Sequence, residues 1–301
     1  MIFSTYLTKF AAILPAVHIS KAVNRRTLRA LEAMARRMEP ALRDAFLAAV
    51  RSARNDSTLS VLESAMATTD PAAAIREATG GLEFRQMRDT LADIVEASGQ
   101  RATNDLQTIT GTTLASFDVV NPHAVQYART EVGRMIRDIT QSTMEGIQNV
   151  IGDAVEQGYS PRESARKIQS MIGLTEQQTN WALNYESQLI ADGATNVDER
   201  VQRYADRLLR QRALTIARSE SLRATNAGQQ AAWNSAVDQG LLPGDVEQQW
   251  MATPGACKQI CKPMDGQTAP LNGVFITGDG RRVKKPPETH PSCRCGLALA
   301  L

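Results

Sequence analysis

Four cysteines and one histidine, gathered between positions 257 and 295, are the side chains whose types and spacing could do chemistry in this chain. Cys257 and Cys261 stand in a C-x3-C, and Cys293 and Cys295 follow in His290-Pro-Ser-Cys-Arg-Cys. Thiolate sulfur and imidazole nitrogen are the donors of tetrahedral zinc sites, which need four, and here five compete. The spacing departs from the C-x2-C of zinc knuckles, so free buried thiols, or a disulfide from Cys257 or Cys261 to Cys293 or Cys295, are the alternatives. A metal-dependent nuclease would need an open metal position and a nearby base. Asp265, Asp279 and Glu288 are the acids close in sequence, and all three read as loop residues.

A second group lies upstream. Glu220, Arg223 and Asn226 are three apart, so they share one helical face, where they could brace the Cys/His knot. Arg200, Arg203, Arg207 and Arg210 form a stripe that could track phosphates, but Asp198, Glu199 and Asp206 interleave with it, as on a salt-bridged face. The sequence holds no glycine-rich phosphate loop, G-x-S-x-G elbow or H-E-x-x-H, so no catalytic residue is assigned.

The elements that must position these groups are mostly helices. Apolar positions from Val23 to Val50 recur at helical spacing between Ser20 and Arg54, with a break expected near Pro40. Asp70-Pro71 opens a short helix that closes at Gly80-Gly81, and the pattern then runs to Gly99. The polar, Thr-rich stretch 100–120 reads as an internal boundary. Asn121-Pro122 starts a helix to Gly158, Ser160-Pro161-Arg-Glu163 a capping box, Thr175 another start, and the last helices span about 197–239. Asp265-Gly266, Asn272-Gly273 and Gly278-Asp279-Gly280 are turn signals around Val274-Phe275-Ile276, a short strand.

Hydrophobic content of 43% supports a core, and aromatics at 5% leave Ala, Leu, Ile and Met to fill it, which favours helix. Net charge is +2, unevenly laid out: residues 1–54 carry ten basic side chains against three acidic, and 251–301 carry seven against three. Basic ends suit an anionic partner, with Arg25, Arg26, Arg29, Arg36 and Arg37 as the DNA-contacting candidates. No run approaches the ~18 apolar residues of a membrane helix, so no stable membrane insertion is expected. Phe3 to Leu14 fall at the spacing of an amphipathic helix rather than of a signal core, and a reducing cytosolic setting follows.

The segment Ile216-Ala-Arg218-Ser-Glu220-Ser-Leu-Arg223-Ala-Thr-Asn226 precedes Gln248-Gln-Trp250, the C-x3-C, Asp265-Gly266, Pro286-Pro287 and His290-Pro-Ser-Cys-Arg-Cys295. In order and spacing this resembles the Mu F-like minor head proteins of tailed bacteriophages, over roughly 155–298. One departure is Thr253-Pro-Gly-Ala before Cys257, where an aspartate commonly stands. The resemblance implies a non-enzymatic head-morphogenesis protein at the portal vertex or inner capsid. Its partners would be the portal protein, the major capsid protein and packaged double-stranded DNA, with no small-molecule substrate. It would pass from host cytoplasm into the virion. It carries over Glu220, Arg223, Asn226, Asp265 and Gly266 as framework positions beside a structural zinc held by four of Cys257, Cys261, His290, Cys293 and Cys295. A nuclease or toxin-like transferase carried in the head, or a DNA-compacting scaffold, is the rival. The expected fold is mainly α, with long helices followed by a small C-terminal α+β unit held by the Cys/His cluster. Residues 1–120 form a variable N-terminal helical region, and 121–301 the head-morphogenesis domain with its knot at 250–298.

Overall fold

A computed structural model describes residues 21–68, 70–112, 116–118 and 120–300, with side chains from Arg25 onward; the amphipathic segment expected over Phe3–Leu14 lies outside them. Helix α1 (Lys21–Asp56) is followed by α2 (Leu59–Ala67), α3 (Pro71–Gly80) and α4 (Arg85–Thr110). Then come α5 (Pro122–Tyr127), a π-helical turn (Ala128–Val132) and α6 (Gly133–Glu156), continuous with one another. Helices α7 (Pro161–Met171), α8 (Glu176–Ala191) and α9 (Val197–Asp238) complete the helical part. The small strands are β1 (Glu247–Met251), β2 (Thr268–Pro270), β3 (Phe275–Ile276), β4 (Arg282–Val283) and β5 (Gly296–Ala300). The architecture is mainly α with a small C-terminal α+β unit, as expected.

Local chemistry accounts for most helix starts. Asp70 caps α3 by accepting from the Ala73 N–H at 3.0 Å, and Asn121 caps α5 by accepting from His123 N–H at 3.0 Å. Ser160 with Glu163, and Thr175 with Gln178, close reciprocal capping boxes on α7 and α8. Three expectations are corrected. α1 runs unbroken through Pro40, which is exposed, so water can reach the Arg36 carbonyl that the proline leaves unpaired. α4 continues past Gly99 to Thr110, where Gly111 at φ +66° ends it. The 197–239 region is one helix of 42 residues, about 63 Å long.

That helix, α9, is the axis of the molecule. α1, α4 and α8 pack along it, and β5 lies against its C-terminal half. From Ser219 to Trp233 nearly every residue is buried, on all sides, because Ala, Ser, Thr and Gly let neighbours approach closely. The tightest crossing is at Gly228, where a Cβ would sit 2.2 Å from the Val95 carbonyl oxygen and 3.0 Å from the Gly99 nitrogen of α4. One apolar core built on Leu42, Phe46, Met87, Leu91, Ile94 and Ile147 fills the helical part. A second, with Trp250, Phe275, Met264 and Leu297, fills the C-terminal unit.

The strands form a three-stranded antiparallel sheet in the order β2-β1-β5, plus the β3-β4 hairpin. Strand β5 escapes the periodicity argument: Gly-Leu-Ala-Leu-Ala is buried at four of five positions, and its Leu and Ala residues prefer helix. Packing between β1, α1 and α9 makes it a strand. Among the described residues no helix is long and apolar enough to cross a membrane.

Candidate metal centre

After α9 the chain turns at Gly240, runs through β1, and reaches the Cys257–Cys261 turn, where the Lys262 N–H donates to the Cys257 carbonyl at 3.0 Å. The β3-β4 loop presses onto this turn. Gly278 N–H donates to the Ile260 carbonyl at 3.0 Å, and a Cβ on Gly278 would meet the Gln259 oxygen at 2.0 Å, so only glycine fits. The second half of the cluster hangs from α9 itself, through the Ser292 N–H donating to Ser219 Oγ at 3.0 Å.

These turns bring all five donors together. His290 Nε2 lies 3.5 Å from Cys257 Sγ and 3.1 Å from Cys261 Sγ, and Cys261 Sγ lies 3.8 Å from Cys293 Sγ. Two triads, Cys257/Cys261/His290 and Cys261/Cys293/Cys295, thus share Cys261, each with its donor atoms within 4.8 Å of one another. Metal–sulfur bonds of about 2.3 Å in a tetrahedron place sulfurs about 3.8 Å apart, so these separations suit one ion. His290 Nδ1–H donates to the Pro291 carbonyl at 2.9 Å, which sets the tautomer and leaves Nε2 facing the thiols. No disulfide joins the cysteines; Cys261, Cys293 and Cys295 are buried and Cys257 is half-buried.

The electrostatics of the cluster is set by burial and by hydrogen bonds shared among its thiols and imidazole. Hydrogen bonding from the Cys295 thiol, against the effect of burial, holds Cys293 down to about 5. Cys295, donating to that sulfur and buried as well, is raised far above an ordinary thiol. Burial pushes Cys261 up to about 12. At Cys257 burial acts upward, but the N–H groups of Cys261 and Ile260 aimed at its sulfur outweigh it and lower the thiol. Burial opposes charge on His290, yet the Pro291 carbonyl and the Cys293 and Cys257 sulfurs lift it above its ordinary value. A divalent cation would convert this set to thiolates around a neutral imidazole.

Acids around the cluster have other partners. Glu39 holds Arg294 at 3.1 Å and Arg218 at 3.6 Å, Glu32 holds Arg36 at 2.5 Å, and Asp265 accepts from Ala252 N–H at 2.9 Å. Asp265-Gly266 is the turn leading into β2, with Gly266 at φ +86°.

The expected polar triplet divides. Asn226 does brace the unit: its Oδ1 accepts from the Leu297 N–H of β5 at 3.2 Å. Glu220 and Arg223, an ion pair at 3.2 Å, do not reach the cysteines and face the buried Tyr127 of α5 instead. An interval of three residues turns a helix by only 300°, so the positions drift around α9 toward different neighbours. Pattern reading overlooked Gln229, whose Nε2 donates to the Leu297 carbonyl at 2.7 Å; its i+3 spacing from Asn226 was the available signal. Ser219 and Glu39, the other links to the knot, carried no such signal. Arg25, Arg26, Arg29, Arg36 and Arg37 are all exposed along α1, with Arg36 engaged by Glu32. Arg200, Arg203, Arg207 and Arg210 are exposed on α9; Arg203 pairs with Glu199 at 3.4 Å, and Arg207 lies over the Tyr204 ring.

No curated protein and no solved structure matches the chain. Residues 145–298, which take in α9, most of the small sheet and the whole Cys/His cluster, match the family described as Phage Mu protein F like protein. With the cluster, the Asn226 brace and the Asp265-Gly266 turn all inside that match, the chain belongs to the Phage Mu F-like family of phage head-morphogenesis proteins.

Proposed function

We propose that this protein is a structural minor head protein. It docks on the portal and major capsid proteins at the portal vertex or inner capsid, and assists head assembly, DNA packaging or ejection without turnover of a substrate. The observation that carries the reading is the use made of the Cys/His cluster. It is fastened to α9 through the Ser292 N–H on Ser219 and to α1 through the Arg294 side chain on Glu39, so it ties the tail onto the two longest helices. Cys257, Cys261, His290 and Cys293 would hold a zinc ion, with Cys295 supporting Cys293. Bound there, the ion supplies a cross-link between loops, and the neighbouring carboxylates are spent on arginines and backbone. Exposed arginines of α1 would lie against packaged double-stranded DNA through sequence-independent phosphate contacts.

A particle reconstruction that locates the chain tests the docking claim; a mature head with the chain absent from both portal vertex and inner capsid surface refutes it. Incubation with plasmid DNA and divalent metal tests the rest. Cleavage that disappears in His290→Ala would replace the structural reading with a nuclease.

A further inference from the structure

The arginine stripe of α9 is less neutralised than its sequence suggests. Asp198, Glu199 and Asp206 interleave with Arg200, Arg203, Arg207 and Arg210, yet only Glu199 pairs within the stripe. Asp206 turns to α1 and holds Arg54 at 3.0 Å, with Gln202 donating to it at 3.1 Å. Asp198 lines a separate cleft between α7, α8 and the start of α9. Glu199 reaches Arg203 at 3.4 Å, but both side chains are well exposed, where such a pair contributes little. Among the described residues Arg200, Arg207 and Arg210 enter no ion pair. The four arginines span about 15 Å of the helix, at steps of about 4.5–6 Å.

Aromatic side chains sit against this stripe. Trp181 and Tyr185 of α8 and Tyr204 of α9 line a shallow groove of about 460 Å³, completed by the exposed Asn184 and Gln188. Trp181 is 44% exposed, unlike the buried Trp233 and Trp250. The Tyr185 and Tyr204 rings pack 5.0 Å apart, tilted by 56°. Arg207 lies 4.9 Å over the Tyr204 ring, and Arg200 Nη2 stands 3.5 Å from the Tyr185 hydroxyl. Two cations are thus fixed at the edge of the groove. Among the described residues no aliphatic side chain and no carboxylate lines it.

Rings, amides and guanidinium groups without an aliphatic wall suit a nucleobase better than the leucine or isoleucine anchor of a partner protein. An unpaired base has a face to stack and an edge of donors and acceptors, on a flexible chain of phosphates. A duplex keeps its bases inside and cannot offer one to Trp181. α1 runs antiparallel to α9, with Arg54 beside Asp206 and Glu39 beside Arg218. The groove and the arginines at the start of α1 therefore lie toward opposite ends of α9.

We propose that the groove between α8 and α9 is a binding site for single-stranded nucleic acid, in which a base stacks on Trp181 while Arg200 and Arg207 hold the neighbouring phosphates.

The test is fluorescence anisotropy of the full chain with labelled oligo(dT) of about 15 nucleotides, in the presence of excess unlabelled duplex of equal length. The duplex occupies the α1 arginines, so binding that survives it reports the groove. Wild type should bind with quenching of the exposed tryptophan. Trp181→Ala should lose about five- to hundredfold in affinity, and Trp181→Phe should stay within a few-fold of wild type. Arg200→Gln combined with Arg207→Gln should lower the slope of log affinity against log salt by about 1.4. Oligo(U) run alongside assigns the strand as RNA or DNA by the tighter partner. If Trp181→Ala fails to fold, the salt slope of the arginine variant decides. No binding, binding that the duplex removes, affinity unaltered in Trp181→Ala, or an unaltered salt slope overturns the proposal. So does a glutamate-rich peptide that quenches Trp181 in place of the strand, which would make the groove a protein-docking surface.

Discussion

Asn226→Leu isolates the contact by which α9 holds the C-terminal unit. Strand β5 is the edge of its sheet, and the Leu297 amide points away from β1 toward α9. Asn226 Oδ1 receives that N–H and Gln229 Nε2 gives to the carbonyl of the same residue, so two side-chain amides replace the missing neighbour strand. Asn226 is 0% exposed. Leucine preserves much of its volume but accepts nothing, which leaves the Leu297 N–H buried and unpaired at a cost of about 1–3 kcal/mol. The Leu222 carbonyl, which also accepts from Asn226 Nδ2, keeps its helical bond and adds little. With the imperfect shape match, the expected loss is about 2–3 kcal/mol, or roughly 5–10 °C in midpoint at about 2–4 °C per kcal/mol. Urea unfolding followed by tryptophan fluorescence measures it, because Trp233 and Trp250 both sit in the second core. Hydrogen exchange of the Leu297 amide locates it. An unchanged midpoint together with undiminished protection of Leu297 would show that the two amides do not hold the strand.

Four further outcomes follow from the same contacts. Cys261 belongs to both triads, so Cys261→Ser should abolish the roughly one zinc per chain expected by elemental analysis, with a stability loss of several kcal/mol; Cys295→Ser should retain metal. Gly228→Ala drives a methyl onto the Val95 carbonyl and should cost about 1–3 kcal/mol or more by urea denaturation. Burial, against the pull of Arg223, raises the Glu220 carboxyl above its ordinary value. Its folded state therefore favours the protonated form, a contribution complete below the unfolded value of 4.5 and lost as pH rises through the folded one. Glu220→Gln should accordingly gain stability relative to wild type between acid and neutral pH, read from paired denaturation curves. Replacing Arg25, Arg26, Arg29 and Arg37 with alanine should reduce the slope of log affinity for duplex DNA against log salt by up to about 3–4, measured by fluorescence anisotropy.

What the sequence by itself determined is whatever depends on neighbours a few residues apart. The capping box at Ser160, the helix start at Thr175, the proline-led starts at Pro71 and Pro122, the long amphipathic α1 and the Cys/His cluster all rest on local hydrogen bonding, helical period or donor chemistry, and all were legible. The family signature was legible too, because it is a string of residue types at set intervals. Tertiary structure alone decided where the remaining groups went. β5 is a strand because α1, β1 and α9 enclose it, against the preference of its Leu and Ala residues. Glu220 and Arg223 turn from the cluster to Tyr127 because α9 is packed on all sides and each step around it meets a different neighbour.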